Sequence, residues 1–511
     1  MWFLLILLSG IVMRVAFLST SSSDDMVHLW NTRLRRLHGD FFTHKPFFSV
    51  LEGNRGYPTL SHWIISKFPQ KNWRLAGKFL NIGYDCLLIT AIWIVAGTMI
   101  PSSGEFPLPP GIVAAVAVST SPLLLPINSR IKSMGGRTLG NVLVFAYLLC
   151  LYAALNGYWI PGLIGMLFFG TGTVLTSKFA LQFLLLTAPF LALLTLSPLP
   201  IVGLVAVFVT ILVVPGLGLR EIASFMWVHS RWYMRNFYTV SSVDCRNRVE
   251  DIRKLRYYFK YKRGVFWGFF FRRSTYFIAL YSFPLFWLAV SWIFSGQSLL
   301  RTGLAGFGVS VTFATCAVFF LTSLRPLLFL GQAERYFEYC LPLTSFVFAS
   351  ACENNTISVQ ASFMLILFQI TMSIANLTYS HYSSVRHSLR PVKPESEHPF
   401  LDRLNGKRIL SIPTKSAFLM SFHDNGTNKY YYRSVNIPHE GFSYMQKDHV
   451  WFEMPTPDLN HFRHKYDIDT VVAEKAFLRR AEDRNICYPL SCYETIYEDD
   501  RYIIIDLEQP K

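Results

Sequence analysis

Charge is scarce in this chain. Of 511 residues only 16% are charged, against roughly 25% in a soluble domain, while 52% are hydrophobic and the mean hydropathy is +0.31. An ordinary soluble globule is excluded. Acidic residues are scarcest ahead of the tail. Residues 391–511 hold 16 Lys+Arg and 19 Asp+Glu, which leaves residues 1–390 with 32 basic and only 13 acidic side chains. The eight cysteines show no metal-ligand spacing, which argues against a zinc module. Cys487 and Cys492, in NICYPLSCYE, are close enough for a disulfide but spacing alone does not establish one. The tail from about Arg408 has no glycine-rich phosphate loop and no nucleophile motif. Nor is there an internal repeat, the usual mark of a secondary transporter.

What the chain has is apolar runs. Many approach or exceed the roughly 18 residues that mark a membrane span. Helices are expected at about 1–18, 79–99, 111–127, 138–156, 158–175, 180–196, 200–216, 274–295, 303–323, 337–352 and 358–378. TSK at 176–178 splits one apolar stretch, and SPLP at 197–200 is a tight turn. The expected fold class is thus a polytopic α-helical membrane protein of about eleven transmembrane helices over residues 1–380. A linker at 381–407, with Pro391, Pro394 and Pro399, leads to a small soluble α/β domain at 408–511. There RILSIP, DTVVAEK and RYIIIDLE read as strands and AFLRRAED as a helix.

The connections alternate. Residues 100–110, 157, 197–200, 296–302 and 353–357 are short and nearly uncharged; residues 19–78, 128–137, 176–179, 217–273 and 324–336 are charged. With eleven spans all the charged connections, and the tail, fall on one face. Basic loops suit cytoplasmic placement by the positive-inside rule, and equally suit contact with lipid phosphates. Loop 217–273, with 13 Lys+Arg against 4 Asp+Glu and interleaved aromatics, reads as an interfacial amphipathic segment rather than a nucleic-acid site.

Candidate chemistry clusters on the charged face. Asp24 and Asp25 stand where the first helix ends, with His28 shortly after and Tyr57 in the GYPTLSHW stretch. Arg130 and Arg137 lie in NSRIKSMGGR, Lys178 at a hairpin tip, and Arg325, Glu334 and Arg335 in LRPLLFLGQAERY, where Pro326 and Gly331 interrupt the apolar pattern. An acid at a membrane boundary suits a general base acting on a lipid-linked substrate. It equally suits a helix N-cap. Arginines suit a phosphate leaving group, for which they offer a two-pronged fork, or they simply snorkel to headgroups. A lipid monophosphate donor needs no divalent cation in principle.

These residues resemble those of the GT-C integral-membrane glycosyltransferases, which use polyprenyl-phosphate-linked sugars. The resemblance rests on the acidic pair in SSSDDMVHLW, the YP element in GYPTLSHW, the basic loop INSRIKSMGGR and the late AERYFEYCLP. It implies that Asp24 or Asp25 activates the acceptor. It also implies that Arg130, Arg137, Lys178, Arg325 and Arg335 hold the lipid phosphate, and that the charged face is extracytoplasmic. Some members, the oligosaccharyltransferases, hold a divalent metal with acidic groups from separated loops, and that resemblance makes Asp24 or Asp25 with Asp40 or Glu52 the less favoured, metal-binding alternative. The basic first loop, with Arg33, Arg35 and Arg36, departs from the family pattern. The expected function is transfer of a sugar from a polyprenyl-phosphate donor to a cell-envelope glycan or lipid, in the plasma (inner) membrane. The alternatives are a polymerase or ligase of lipid-linked polysaccharide and a transporter or flippase of lipid-linked sugars.

Overall fold

The computed structural model describes residues 2–15, 25–38, 48–53, 57–124, 134–214, 221–227, 248–261, 303–330, 333–388, 400–424, 426–432, 447–451, 454–483 and 485–510, with a few single positions between. The chain divides into two compact units, each assembled from separated segments.

The first unit, residues 1–25, 68–215 and 244–390, is helical. Its elements are α1 (Trp2–Val15), the first residue of α2 (Asp25–His38), α4 (Trp73–Met99), α5 (Pro110–Ser119), α6 (Arg137–Leu155), α7 (Trp159–Thr176), α8 (Lys178–Leu194), α9 (Leu199–Val213), α10 (Arg248–Tyr261), α11 (Gly303–Ser323), α12 (Phe337–Glu353) and α13 (Val359–Ser388). Described helices occupy every position expected from the apolar runs except 274–295, which lies outside the described residues. Among the described residues, five helices are fit by length and composition to cross a membrane: 70–99, 137–155, 159–176, 303–323 and 359–379. Four further apolar helices, among them α1, α5, α8 and α9, run only 10–17 residues. The chain is a multi-pass membrane protein. Helix α12 lies at its centre, with every residue buried and with α4, α5, α6 and α11 against it.

Local chemistry explains the breaks. At the TSK split, Ser177 leaves the helical region (φ −146°, ψ 123°) and its hydroxyl accepts the Ala180 N–H at 3.4 Å, capping α8. Gly140 in α6 lies against that corner, where a Cβ would come within 2.9 Å of the Ser177 Cβ. Only glycine lets the starts of α6 and α8 approach this closely. The interrupted LRPLLFLGQAERY stretch forms two 3-10 turns, Arg325–Leu330 and Ala333–Tyr336, before α12 begins. Helix α4 starts at Trp73, earlier than the apolar run suggests, because Arg74, Lys78, Asn81 and Asp85 share one face at helical spacing. Arg14 of α1 and Asp85 of α4, charged residues inside apolar helices, find each other at 2.8 Å, both buried.

The second unit joins residues 26–67 and 216–243 to residues 391–511. Its sheet runs β2 (Lys429–Tyr430), β1 (Arg408–Ile412), β5 (Thr470–Glu474), β7 (Tyr502–Pro510), β6 (Tyr493–Glu498), and β3 (His449–Trp451) and β4 (Met454–Pro455) form a separate antiparallel pair. Strand β1 is parallel to β2 and β5, while β7 is antiparallel to β5 and β6. The strands expected at 408, 470 and 502 are all present, and α16 (Lys475–Glu482) follows β5 where AFLRRAED was expected to be helical. The remaining helices of the tail are α14 (Ser416–His423) and α15 (Leu459–Tyr466), the latter capped by Asp458.

The stretch 26–67 contributes structure to this unit. It forms the rest of α2 and α3 (Leu60–Ser66). Ser49 bridges Tyr430 in parallel, extending the sheet beyond β2. Trp30, Leu34, Phe48, Val50 and Leu51 lie in the same core as Ile409, Tyr430, Tyr432 and Ile504. Arg33 donates to the carbonyls of Ser421, Phe422 and Asp424, the last two at 3.0 and 2.8 Å, closing the C-terminus of α14. Folding of the sequence-defined tail thus draws on residues almost four hundred positions earlier. Cys487 and Cys492 are both free and exposed.

Candidate functional site

Within the helical unit a closed circuit of contacts brings the expected basic residues together. Arg137 is the first residue of α6, and its guanidinium pairs with the carboxylate of Glu338, in the first turn of α12. Three residues before Glu338, Arg335 stacks its guanidinium on Phe179, 4.5 Å above the ring. Phe179 follows Lys178, which is partly buried at the start of α8. The circuit returns through Ser177 to Gly140, one turn from Arg137. Arg137 and Lys178 therefore open two adjacent helices, and Arg335 lies in the turn that leads into a third.

Two further contacts bring an acid and a second polar face to the same end. Asp25 opens α2, is fully buried, and accepts the Met134 N–H at 3.3 Å, just ahead of Arg137. Thr138 hydrogen-bonds Asn81 of α4. One turn before Asn81, the buried Lys78 lies within electrostatic reach of both Asp25 and Arg74. Glu334 is buried in the turn that carries Arg335.

The arrangement gathers Asp25, Arg137, Lys178, Glu334 and Arg335 from the sequence-based candidates. Asp24 and Arg130 lie outside the described residues, as does Asp40. Arg325 opens a 3-10 turn, but its side chain lies outside what is described. His28 and Tyr57 belong to the second unit, where the His28 Nδ1 stands 2.9 Å from His62 Nε2 and Tyr57 sits edge-on to both rings. Sequence reasoning missed Lys78, Glu338, Phe179 and His62. For Lys78 there was a signal: Arg74, Lys78 and Asp85 are four and seven residues apart, so WRLAGKFLNIGYD places them on one helix face. Among the described residues no group of three or more His, Cys, Asp or Glu side chains could hold a metal ion.

Chemically, the cluster offers several cationic donors beside three buried carboxylates, Asp25, Glu334 and Glu338. This is the arrangement needed to bind a phosphate and to take a proton next to it. Comparison with solved structures gives the frame in which it sits. ArnT from Cupriavidus metallidurans, solved with undecaprenyl phosphate bound, superimposes with a TM-score of 0.52 at 11% identity, over 99% of this chain and 98% of that one. The chain has the GT-C glycosyltransferase fold. The oligosaccharyltransferase of Archaeoglobus fulgidus, tethered to an acceptor peptide, gives a TM-score of 0.50 at 10% identity over 98% of this chain and 73% of that one. No protein-family model matches the sequence, and no curated protein matches it. The GT-C likeness is therefore one of fold. The roles of the clustered residues rest on their own geometry.

Proposed function

We propose that the chain is a membrane glycosyltransferase that moves a sugar from a polyprenyl-phosphate-linked donor to a cell-envelope glycan or lipid. One observation carries this reading: the circuit Arg137–Glu338, Arg335–Phe179, Ser177–Gly140, which sets three basic residues on neighbouring elements of the helical unit, with Asp25 tied to Met134 three residues before Arg137. Its place in a GT-C fold, and the undecaprenyl phosphate bound by the ArnT neighbour, favour a lipid phosphate as the ligand.

In this reading the acceptor hydroxyl attacks the sugar C1, and the ionised Asp25 accepts the hydroxyl proton. The bond from C1 to the phosphate oxygen breaks, and its electron pair stays on the departing polyprenyl phosphate. Arg137, Lys178, Arg335 and Lys78 stabilise the charge that develops there. Donors fixed in a poorly solvated site count for more than in water, because they need not reorganise as the charge forms. Such a step has no requirement for a divalent cation, and the reaction is proposed to proceed without one. Arg130 and Arg325 are proposed as further phosphate ligands, and Glu334, His28 and Tyr57 as substrate contacts.

The test is sugar transfer by purified Asn variants in detergent. Asp25→Asn keeps the shape and a hydrogen-bonding oxygen but cannot take the proton. It should lower turnover by roughly 10²–10⁴-fold in a folded protein, whereas Asp24→Asn should keep substantial activity. Near-normal turnover by Asp25→Asn would remove Asp25 as the base, and normal turnover by both would make the pair structural.

We further propose eleven spans, with the charged connections and the tail on the extracytoplasmic side of the plasma (inner) membrane. Reporter fusions after Asn72 and at Lys511 should report that same side. Opposite sides would break the eleven-span count, and a shared cytoplasmic location would overturn the sidedness.

A further inference from the structure

The mechanism leaves one buried acid of the cluster without a part. Glu338 is fully buried in the first turn of α12, and its carboxylate meets the Arg137 guanidinium. Arg137 keeps 12% of its side chain exposed, so it stands at the rim while its partner lies within. We propose that Glu338 is a positioning residue that fixes the Arg137 guanidinium for the phosphate of the lipid-linked donor. The inference rests on the function proposed above and deepens it.

The argument is geometric first. Residues 335–338 form one short continuous segment that runs from a 3-10 turn into α12. At one end Arg335 is laid on Phe179, and at the other Glu338 grips Arg137. This segment therefore sets the separation of two guanidinium groups that start on different helices. A phosphate held by two arginines needs that separation fixed, because each two-pronged contact is directional. Arginine has a long, flexible side chain, and holding it in place beforehand reduces the ordering needed when ligand binds.

Charge balance makes the idea testable by sign. Among the described side chains, Arg74, Lys78, Arg137, Lys178 and Arg335 supply five positive charges, and Asp25, Glu334 and Glu338 supply three negative ones, a net of +2. If Glu338 merely trimmed this charge, removing it would raise the net to +3 and tighten binding of an anion. If it positions Arg137, removing it loosens binding despite the more favourable charge.

The experiment titrates purified full-length protein with a short-chain polyprenyl monophosphate. Glu338→Gln should weaken binding about five- to twentyfold, less than loss of a charge-assisted contact itself, because Arg137 remains but is no longer held in place. In the transfer assay the loss should fall mainly on donor KM rather than kcat, since ground-state and transition-state binding suffer together. In an Arg137→Ala background Glu338→Gln should add nothing, because the effect runs through Arg137. Unchanged or tighter binding by Glu338→Gln, or an equal loss in the Arg137→Ala background, overturns the proposal. Should Glu338→Gln fail to fold, Glu338→Asp keeps the charge and shortens the arm by one methylene. Weaker binding is expected there too, and wild-type binding would overturn the role. Failure of the wild-type protein to bind the monophosphate at all would instead reject the function proposed above, and shows before any variant is made.

Discussion

Helix α12 carries a glutamate in its first turn and another as its last residue, and the two ends use them differently. Fifteen residues of helix separate them by about 22 Å. At the far end Glu353 is held by neutral donors: the Ser103 N–H at 2.8 Å and the hydroxyls of Ser103 and Ser102 at 3.1 and 3.4 Å. Its backbone carbonyl takes a second bond from Ser103, and Asn355 reaches Glu105 beside it. These contacts join the turns 100–110 and 353–357 into a clasp. At the near end Glu338 meets a cation, with Lys178 at the start of α8 and Arg335 in the turn that leads into α12. Both carboxylates are buried, so burial alone does not mark a functional site. Neutral donors close one end, whereas the other concentrates charge beyond what its own acids balance.

Three substitutions break or sharpen this contrast. The largest effect should come from neither end. Asp85→Ala strips Arg14, in the last turn of α1, of its buried counter-ion in the middle of α4 and leaves it the Gly10 carbonyl at 2.9 Å. Breaking such a pair costs about 3–5 kcal/mol. The melting temperature in detergent should fall steeply, with activity per folded molecule retained. A normal melting temperature would show that the pair is not the staple described here. Next, Arg335→Ala at the charged end should weaken donor binding by roughly ten- to a hundredfold, the range of a lost charge-assisted contact. Wild-type affinity would make the stacked arginine structural. The smallest effect belongs to the clasp: Glu353→Ala should cost about 1–3 kcal/mol of stability and leave donor KM unchanged. A selective rise in donor KM would erase the distinction between the two ends.

Much of the helical framework was legible because apolar runs, a serine at a helix start and a proline-bearing turn act locally. The α8 cap at Ser177 and the strands at 408, 470 and 502 follow from residues within a few positions of each other. The basic residues could be named, but not their partners. Nothing near Arg137 in sequence points to Glu338, two hundred residues on, and nothing near Arg335 points to Phe179. The tail illustrates the limit most clearly. Its strands were evident as a compact segment, yet its core also needs Trp30, Leu34 and Phe48, and its sheet edge continues through Ser49. Pairing of that kind depends on long-range burial, which a period-two pattern at 429–430 cannot reveal. Lys78 was obscured by the opposite problem: it lies inside a helix whose apolar run begins one residue later.

The central claim is that the charged end of the helical unit holds a lipid phosphate. Mass spectrometry of the lipid that stays with the protein through purification tests it most directly. The account predicts a polyprenyl phosphate, or its sugar-bearing form, with the wild-type protein and much less of it with Arg335→Ala purified identically. Ordinary membrane phospholipid alone, or equal polyprenyl phosphate on both proteins, would contradict it.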